Sequence, residues 1–285
     1  MAIWCVGSIN IDHFYAVTHI VAPGETLAAT GIRSGLGGKG ANQSVAAARA
    51  GSKVHHIGAT GADGAWVVER LESYGVDISR VDQTKPKTAH AIIAVADDGE
   101  NAIIIYSAAN RSLDEASVAT FLGEASEGDI LLLQNETNAQ VEAAKAAKAR
   151  GVRVFYSAAP FDVAAVDAVA PYIDLLIMNE IEEQQLMANL PDLKVPERLV
   201  TLGADGARWA SADGSEASVS APKVTAVDTT GAGDTFAGYF AAGIDQGMSV
   251  EEAMRLATSA AALKVTRPGT ADAIPGVEEV LQAYD

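Results

Sequence analysis

Along this chain, short runs of β-branched and large apolar residues alternate with alanine-rich stretches whose apolar positions recur every three or four residues. Ile3 to Gly7, Val54 to Ile57, Ile130 to Leu133, Val152 to Tyr156, Leu175 to Met178 and Leu199 to Leu202 carry little polar sequence, as expected of strands buried on both faces. Between and after them, Ala41 to Ala50, Ala65 to Tyr74, Asp114 to Glu124, Ala139 to Ala149, Ile181 to Asn189, Thr235 to Asp245 and Val250 to Val265 follow a helical period. Strand–helix alternation of this kind predicts βαβ units around a parallel sheet, an α/β fold. Gly51, Gly151 and Gly247 stand where three of the helices should end, because a left-handed terminal residue is cheapest as glycine.

Two stretches break the rhythm. Residues 13–34 lack a helical period and predict two strands around the Pro23-Gly24 turn. Residues 88–107 predict a hairpin, Ala91 to Ala96 and Ala102 to Tyr106, around Asp97-Asp98-Gly99-Glu100. Strand pairs inserted between βα units suggest a small separate sheet, either a lid that keeps water from a site or a second layer over the core.

Composition narrows the function. In a chain of 285 residues, 49% hydrophobic and 20% charged residues describe a globular domain rather than a disordered one. Asp and Glu number 37 against 20 Lys and Arg, a formal charge of −17 that repels nucleic-acid backbones and anionic membranes. The single Cys5 forms no internal disulfide, which fits a reducing compartment. No apolar run reaches membrane-spanning length and the opening residues show no basic leader, so a cytoplasmic location is expected. Five histidines show no metal-binding spacing, which leaves a zinc or Ser-His-Asp reading without support.

Two glycine-rich turns carry the candidate chemistry. Gly35-Leu-Gly-Gly-Lys-Gly40 formally matches a dinucleotide fingerprint, but mixed polar sequence precedes it where a buried strand is required. It fails as a Walker loop as well, because Gly40 follows Lys39 where Ser or Thr is needed. What remains is a turn into a helix that presents Lys39 and Asn42. The second turn, Asp228-Thr-Thr-Gly-Ala-Gly-Asp234, leads into an amphipathic helix. Small residues let peptide N–H groups approach a ligand, and a helix N-terminus favours an anion. Asp234 then stands beside that anion. A helix-start preference explains an acidic residue there, whereas a carboxylate next to a transferring phosphoryl group can take the proton of an attacking hydroxyl. Asn10 and Asp12, Asn135 and Glu136, and Asn179 to Glu182 each follow a predicted strand, where open α/β sheets gather ligands.

The segments Gly7-Ser-Ile-Asn-Ile-Asp12, Pro23-Gly-Glu-Thr26, Gly37-Gly-Lys-Gly-Ala-Asn-Gln43, Asn179-Glu-Ile-Glu182, Thr201-Leu-Gly203 and Asp228 to Asp234 occur in the order found in the PfkB-type carbohydrate kinases, and the chain resembles that family, its ribokinase group above all. The resemblance implies a three-layer α/β/α (ribokinase-like) fold with a mostly parallel central sheet and a small β-sheet lid. It would form one domain over 1–285, with lid segments at about 13–34 and 88–107.

It also implies ATP-dependent phosphorylation of a sugar hydroxyl, with D-ribose as substrate and D-ribose 5-phosphate as product. Asp234 resembles the catalytic base, with Gly231, Ala232 and Gly233 as the anion hole. Asn10, Asp12, Gly38, Lys39, Asn42 and Glu136 match sugar-binding positions. Asn179 and Glu182 match those that organise phosphate and Mg²⁺ through water, and Thr201, Gly203, Gly206 and Thr258 those that line the nucleotide. A monovalent cation, K⁺, would be held near the anion hole by Asp228, Thr230, Lys264, Arg267, Gly269 and Ala273, mainly through backbone carbonyls. Related kinases pair through the lid, so a homodimer is expected. The chain departs from the family pattern at Ala273, where a hydroxyl residue is common, and at Met187 to Leu199, too short and proline-broken for the usual helix.

Three further readings share these residues: another PfkB-type kinase, a fructokinase or nucleoside kinase; a catalytically silent sugar- or nucleotide-binding regulator, which has no use for Asp234; and a dinucleotide oxidoreductase, which rests on the Gly35 to Gly40 match alone.

Overall fold

A computed structural model describes residues 1–284. Its strands are β1 (Ile3–Val6), β2 (Asn10–Val17), β3 (Gly31–Gly37), β4 (Val54–Gly61), β5 (Val76–Lys85), β6 (Ala89–Ala96), β7 (Asn101–Tyr106), β8 (Ile130–Gln134), β9 (Arg153–Ser157), β10 (Leu175–Asn179), β11 (Glu197–Thr201), β12 (Ala207–Ser211) and β13 (Glu216–Val219). Its helices are α1 (Lys39–Arg49), α2 (Ala65–Ser73), α3 (Glu115–Leu122), α4 (Gln140–Lys148), α5 (Val163–Val169), α6 (Glu180–Asn189), α7 (Ala232–Asp245), α8 (Val250–Lys264) and α9 (Val277–Tyr284).

The central sheet runs β13-β12-β11-β10-β9-β8-β1-β4-β5, parallel from β11 to β5 with β12 and β13 antiparallel at one edge. Alternation along β1 divides the core in two. Ile3 and Cys5 face α1, α2, α7, α8 and α9, whereas Trp4 and Val6 face α3 to α6. Three layers result, with both sheet faces covered, which is why the inner strands read as continuous apolar runs. Among the described residues no helix is long and apolar enough to cross a membrane.

The two anomalous stretches form the second sheet, order β3-β2-β6-β7, with β2 and β6 parallel. It begins earlier than residue 13: Asn10 already pairs with Gly37 and Ala89, so Asn10 and Asp12 belong to the lid rather than to a loop after β1. A small apolar cluster of Phe14, Ala91 and Ile93 lies on the same face as Asp12.

Helix starts follow their local chemistry. Asn179 and Ser249 begin α6 and α8 with reciprocal capping boxes to Glu182 and Glu252. Gly51, Gly151 and Gly247 all adopt positive φ, as expected at those helix ends. No helix occupies residues 190–196. Periodicity does not announce β5, whose inner residues are mostly half-exposed, the antiparallel strands β12 and β13, the seven-residue α5 or the terminal α9.

Candidate active site

The chain crosses itself where the first strand meets the first helix. A Cβ on Gly40 would lie 2.4 Å from the Cα of Gly7, so only paired glycines permit this contact. The crossing sets the N-terminus of α1 against the end of β1, and there Ser8 Oγ donates to Glu136 Oε2 at 2.5 Å. The same oxygen accepts the N–H of Lys39 at 3.0 Å. A second close approach joins α1 to α7, where a Cβ on Gly238 would meet the carbonyl of Gln43 at 2.4 Å.

Those contacts bring two side chains of α1 onto one carboxylate of α7. Asp234, nearly fully buried in the first turn of α7, accepts from Asn42 Nδ2 at 3.0 Å and from Gln43 Nε2 at 3.2 Å. Gln43 Oε1 in turn accepts from Gln134 Nε2 at 2.7 Å. Gly231 starts α7 in the left-handed conformation, φ 75°. Among the described residues the N–H groups of Gly231, Gly233 and Asp234 have no acceptor, so the start of a 14-residue helix presents free donors beside a carboxylate.

On the lid side, Asn10 and Asp12 are buried, and Asn10 Oδ1 accepts from Asn110 Nδ2 at 2.8 Å. Burial, then the neighbouring Glu136, pushes the Asp12 carboxyl up to about 7. Gly38 precedes α1 with φ 93°. The Asp234 carboxylate, more than burial opposes it, holds the Lys39 ammonium above its ordinary range. Asn42 Oδ1 is buried with no partner among the described residues.

Two adjoining cavities lie at the start of α7, and Asp234 lines the smaller. One of about 160 Å³ is lined by Lys39, Asn179, Glu182, Gly231, Gly233 and Asp234. Burial raises the Glu182 carboxyl, opposed by the Asn179 N–H and by Lys39. The second, about 380 Å³, shares Thr201 and Gly233 with the first and continues past Gly203, Gly206 and Thr258 to the apolar walls of Val224 and Phe236. The Thr258 hydroxyl donates to its own helix at Met254, so this residue turns toward the cavity with its hydrogen already committed.

The six positions matched to a monovalent cation do not form an open cage. Lys264, fully buried, donates its ammonium to the carbonyls of Asp228, at 2.9 Å, and Thr230. The Arg267 side chain pairs with Glu279, and Gly269 donates its N–H to the Asp228 carboxylate at 2.8 Å. Against the cost of burial, that N–H and the Thr230 N–H keep the Asp228 carboxyl below its usual value. Burial lowers the Lys264 pKa, opposed by Asp228 and Asp234. The Lys264 ammonium therefore already occupies two of the carbonyls, those of Asp228 and Thr230, that the resemblance assigned to potassium.

Ser8, Gln43, Gln134 and Asn110 were not among the sequence-derived candidates. Ser8 and Gln43 lie inside the quoted motifs and could have been chosen. Gln134 and Asn110 carry no local signal, because their partners lie 91 and 100 residues away.

Comparison with known proteins agrees with this geometry. The family model "pfkB family carbohydrate kinase" matches residues 2–276. A ribokinase of Haemophilus influenzae is 36% identical over 97% of this chain and 96% of its own length. A deoxyribokinase of Salmonella typhi is 32% identical over 98% and 97%. The structure of Arabidopsis thaliana ribokinase complexed with ribose and ATP superposes with a TM-score of 0.88 at 31% identity, covering 99% of this chain and 98% of that one. A nine-stranded, mostly parallel sheet with a four-stranded lid, in a chain matched along nearly its whole length, places the protein in the pfkB family of carbohydrate kinases, phosphotransferases that act on an alcohol group.

Proposed function

We propose that this chain transfers the γ-phosphoryl group of ATP to D-ribose, giving D-ribose 5-phosphate. One observation carries the reading: Asp234 lies at the junction of free helix-start N–H groups and a buried polar ring of Asn10, Asp12 and Asn42. The relatives named ribokinase and the ribose and ATP complex support the substrates. Sugar hydroxyls would sit against Asp12, Asn10 and the unpartnered Asn42 Oδ1, with Gly38, Lys39 and Glu136 beside them. Asp234 takes the proton of the 5-hydroxyl as its oxygen bonds to the γ-phosphorus and the bond to the ADP oxygen breaks. The N–H groups of Gly231 and Gly233, with Ala232 between them, meet the charge on the transferring group. The adenosine part suits the 380 Å³ cavity, whose size and apolar walls are those of a small-molecule site.

Among the described residues no cluster of three or more acidic, His or Cys side chains could enclose a metal directly. Asn179 and Glu182 suit instead a hydrated Mg²⁺ held mainly by phosphate and water, whose chemistry when bound is to neutralise phosphate charge. A helix start and one such cation also explain how a chain of charge −17 accepts a polyanion.

Ile103 and Ile105 continue the apolar face of the lid beyond Phe14 and Ile93, and are about half exposed. Packing of a second copy on this face is the dimer we propose.

The test is a panel of D-ribose, 2-deoxyribose, fructose and adenosine with coupled ADP detection. Ribose is expected to turn over fastest. Faster turnover of any competitor overturns the substrate assignment, and absence of turnover with all four would favour a silent sensor.

A further inference from the structure

Lys264 is the last residue of α8, yet its ammonium does not cap that helix. The final carbonyls of α8 are served by the backbone itself, from Val265 to Ala261, Thr266 to Leu263 and Arg267 to Lys264. The side chain instead crosses to the loop that leads into α7 and donates to the carbonyls of Asp228 and Thr230, 36 and 34 residues away. It does so fully buried, which is costly for a cation without compensation.

The consequence lies on the other side of the loop. In a trans peptide the C=O and the following N–H point in opposite directions. A Thr230 carbonyl held by Lys264 therefore turns the Gly231 N–H away from α8, and Gly231 lines the cavity at Asp234. The Asp228 carboxylate anchors the same loop through the N–H groups of Thr230 and Gly269. Ammonium and potassium ions carry equal charge and have similar radii, and carbonyl oxygens ligate either.

We propose that the Lys264 ammonium is a built-in replacement for a bound monovalent cation, orienting the Asp228-to-Gly231 loop and its anion hole so that phosphoryl transfer needs no added potassium. This rests on the kinase reading above. Lys264 is a positioning residue and touches neither substrate.

The experiment compares wild type, Lys264→Ala and Lys264→Met in tetramethylammonium buffer with and without KCl, reading kcat and the melting temperature. Wild type should show the same kcat and the same melting temperature with and without potassium. Lys264→Ala should lose on the order of 10²-fold in kcat without potassium, comparable to removal of an anion-hole donor. Potassium should restore most of that loss and raise the melting temperature, since an ion that binds only the folded state stabilises it. Lys264→Met, which fills the space without charge, should be slow and indifferent to potassium.

Wild-type activation by potassium, full activity of Lys264→Met, or a folded Lys264→Ala that ignores potassium in both readouts would overturn the proposal. If none of the sugars is phosphorylated, the proposed function fails, while the melting temperatures still decide the matter of Lys264. A potassium-dependent rise confined to Lys264→Ala supports the replacement, and a rise in wild type overturns it.

Discussion

Asn42 Nδ2 lies 3.0 Å from Asp234 Oδ2, joining the start of α1 to the start of α7 across 192 residues of sequence. With Gln43 on the other oxygen, both lobes of the carboxylate are held in place, and the group faces the helix-start N–H groups in one fixed orientation. A base that is already positioned loses little on reaching the transition state.

Replacement of Asp234 by Asn should therefore leave sugar and ATP binding nearly unchanged by calorimetry while kcat falls roughly 10²–10⁴-fold. Near-normal turnover of the variant would remove Asp234 from the role of base.

Asp12 gives a pH signature. Its carboxyl, pushed up to about 7 from 3.8, is protonated in the folded chain at mildly acidic pH and ionised above neutrality. An ionised carboxylate accepts from sugar hydroxyls with both oxygens, so the KM for sugar should fall as pH rises through about 7. Stability runs the other way. Between 3.8 and about 7 the folded chain keeps a proton that the unfolded chain has released, so this group's stabilising contribution is full below 3.8 and lost as pH rises through about 7. Asp12→Asn should weaken sugar binding and stabilise the free protein at about pH 8, where the buried carboxylate is ionised, more than at about pH 5. A sugar KM indifferent to pH across neutrality contradicts this.

Gly238 tests the helix contact beneath the site. A Cβ there meets the Gln43 carbonyl at 2.4 Å and Ala46 Cβ at 2.5 Å. Gly238→Ala should cost about 1–3 kcal/mol by denaturant titration, as overpacked sites do. It should also lower kcat more than it raises either KM, because Gln43 is displaced from Asp234. Unchanged stability would show that α1 and α7 separate freely.

Ala261 lines the larger cavity on the α8 side. Ala261→Phe should raise the KM for ATP about 5- to 150-fold, equivalent to an overpacking cost of about 1–3 kcal/mol, and leave the affinity for sugar unchanged. A rise in the sugar KM alone would mean that the two cavities have been assigned the wrong way round.

Ile105→Glu places a charge on the exposed apolar face of the lid. Light scattering should give a dimeric mass for wild type and a monomeric mass for the variant, and a wild-type monomer refutes the lid pairing.

Much of this molecule was legible before any coordinates. The buried strands reveal themselves as short continuous apolar runs and the longer helices by their period, because both are properties of a few neighbouring residues. The run Gly231 to Asp234 was legible for the same reason: small residues, a helix start and a carboxylate lie side by side in the chain. Strands β5, β12 and β13 are not, since strands at or next to the sheet margins bury fewer residues and carry mixed polarity. In sequence Asn10 and Asp12 read as residues that follow the first strand, and only pairing with Gly37 and Ala89 puts them in the lid.

What tertiary structure alone decided is which polar groups meet. Gln43, Gln134 and Asn110 act across 91 to 191 residues, and nothing in their own neighbourhoods announces the partner. Lys264 is the sharpest case. In sequence it is a basic residue at the end of a helix, where cations are common because the exposed carbonyls there attract them. In the fold its stem is buried, and among the described residues the ammonium donates to the carbonyls of Asp228 and Thr230 alone. A chain's own periodicities determine its elements; the enclosure of a charge, and hence what it must bind, is set by elements that are remote in sequence and adjacent only once packed.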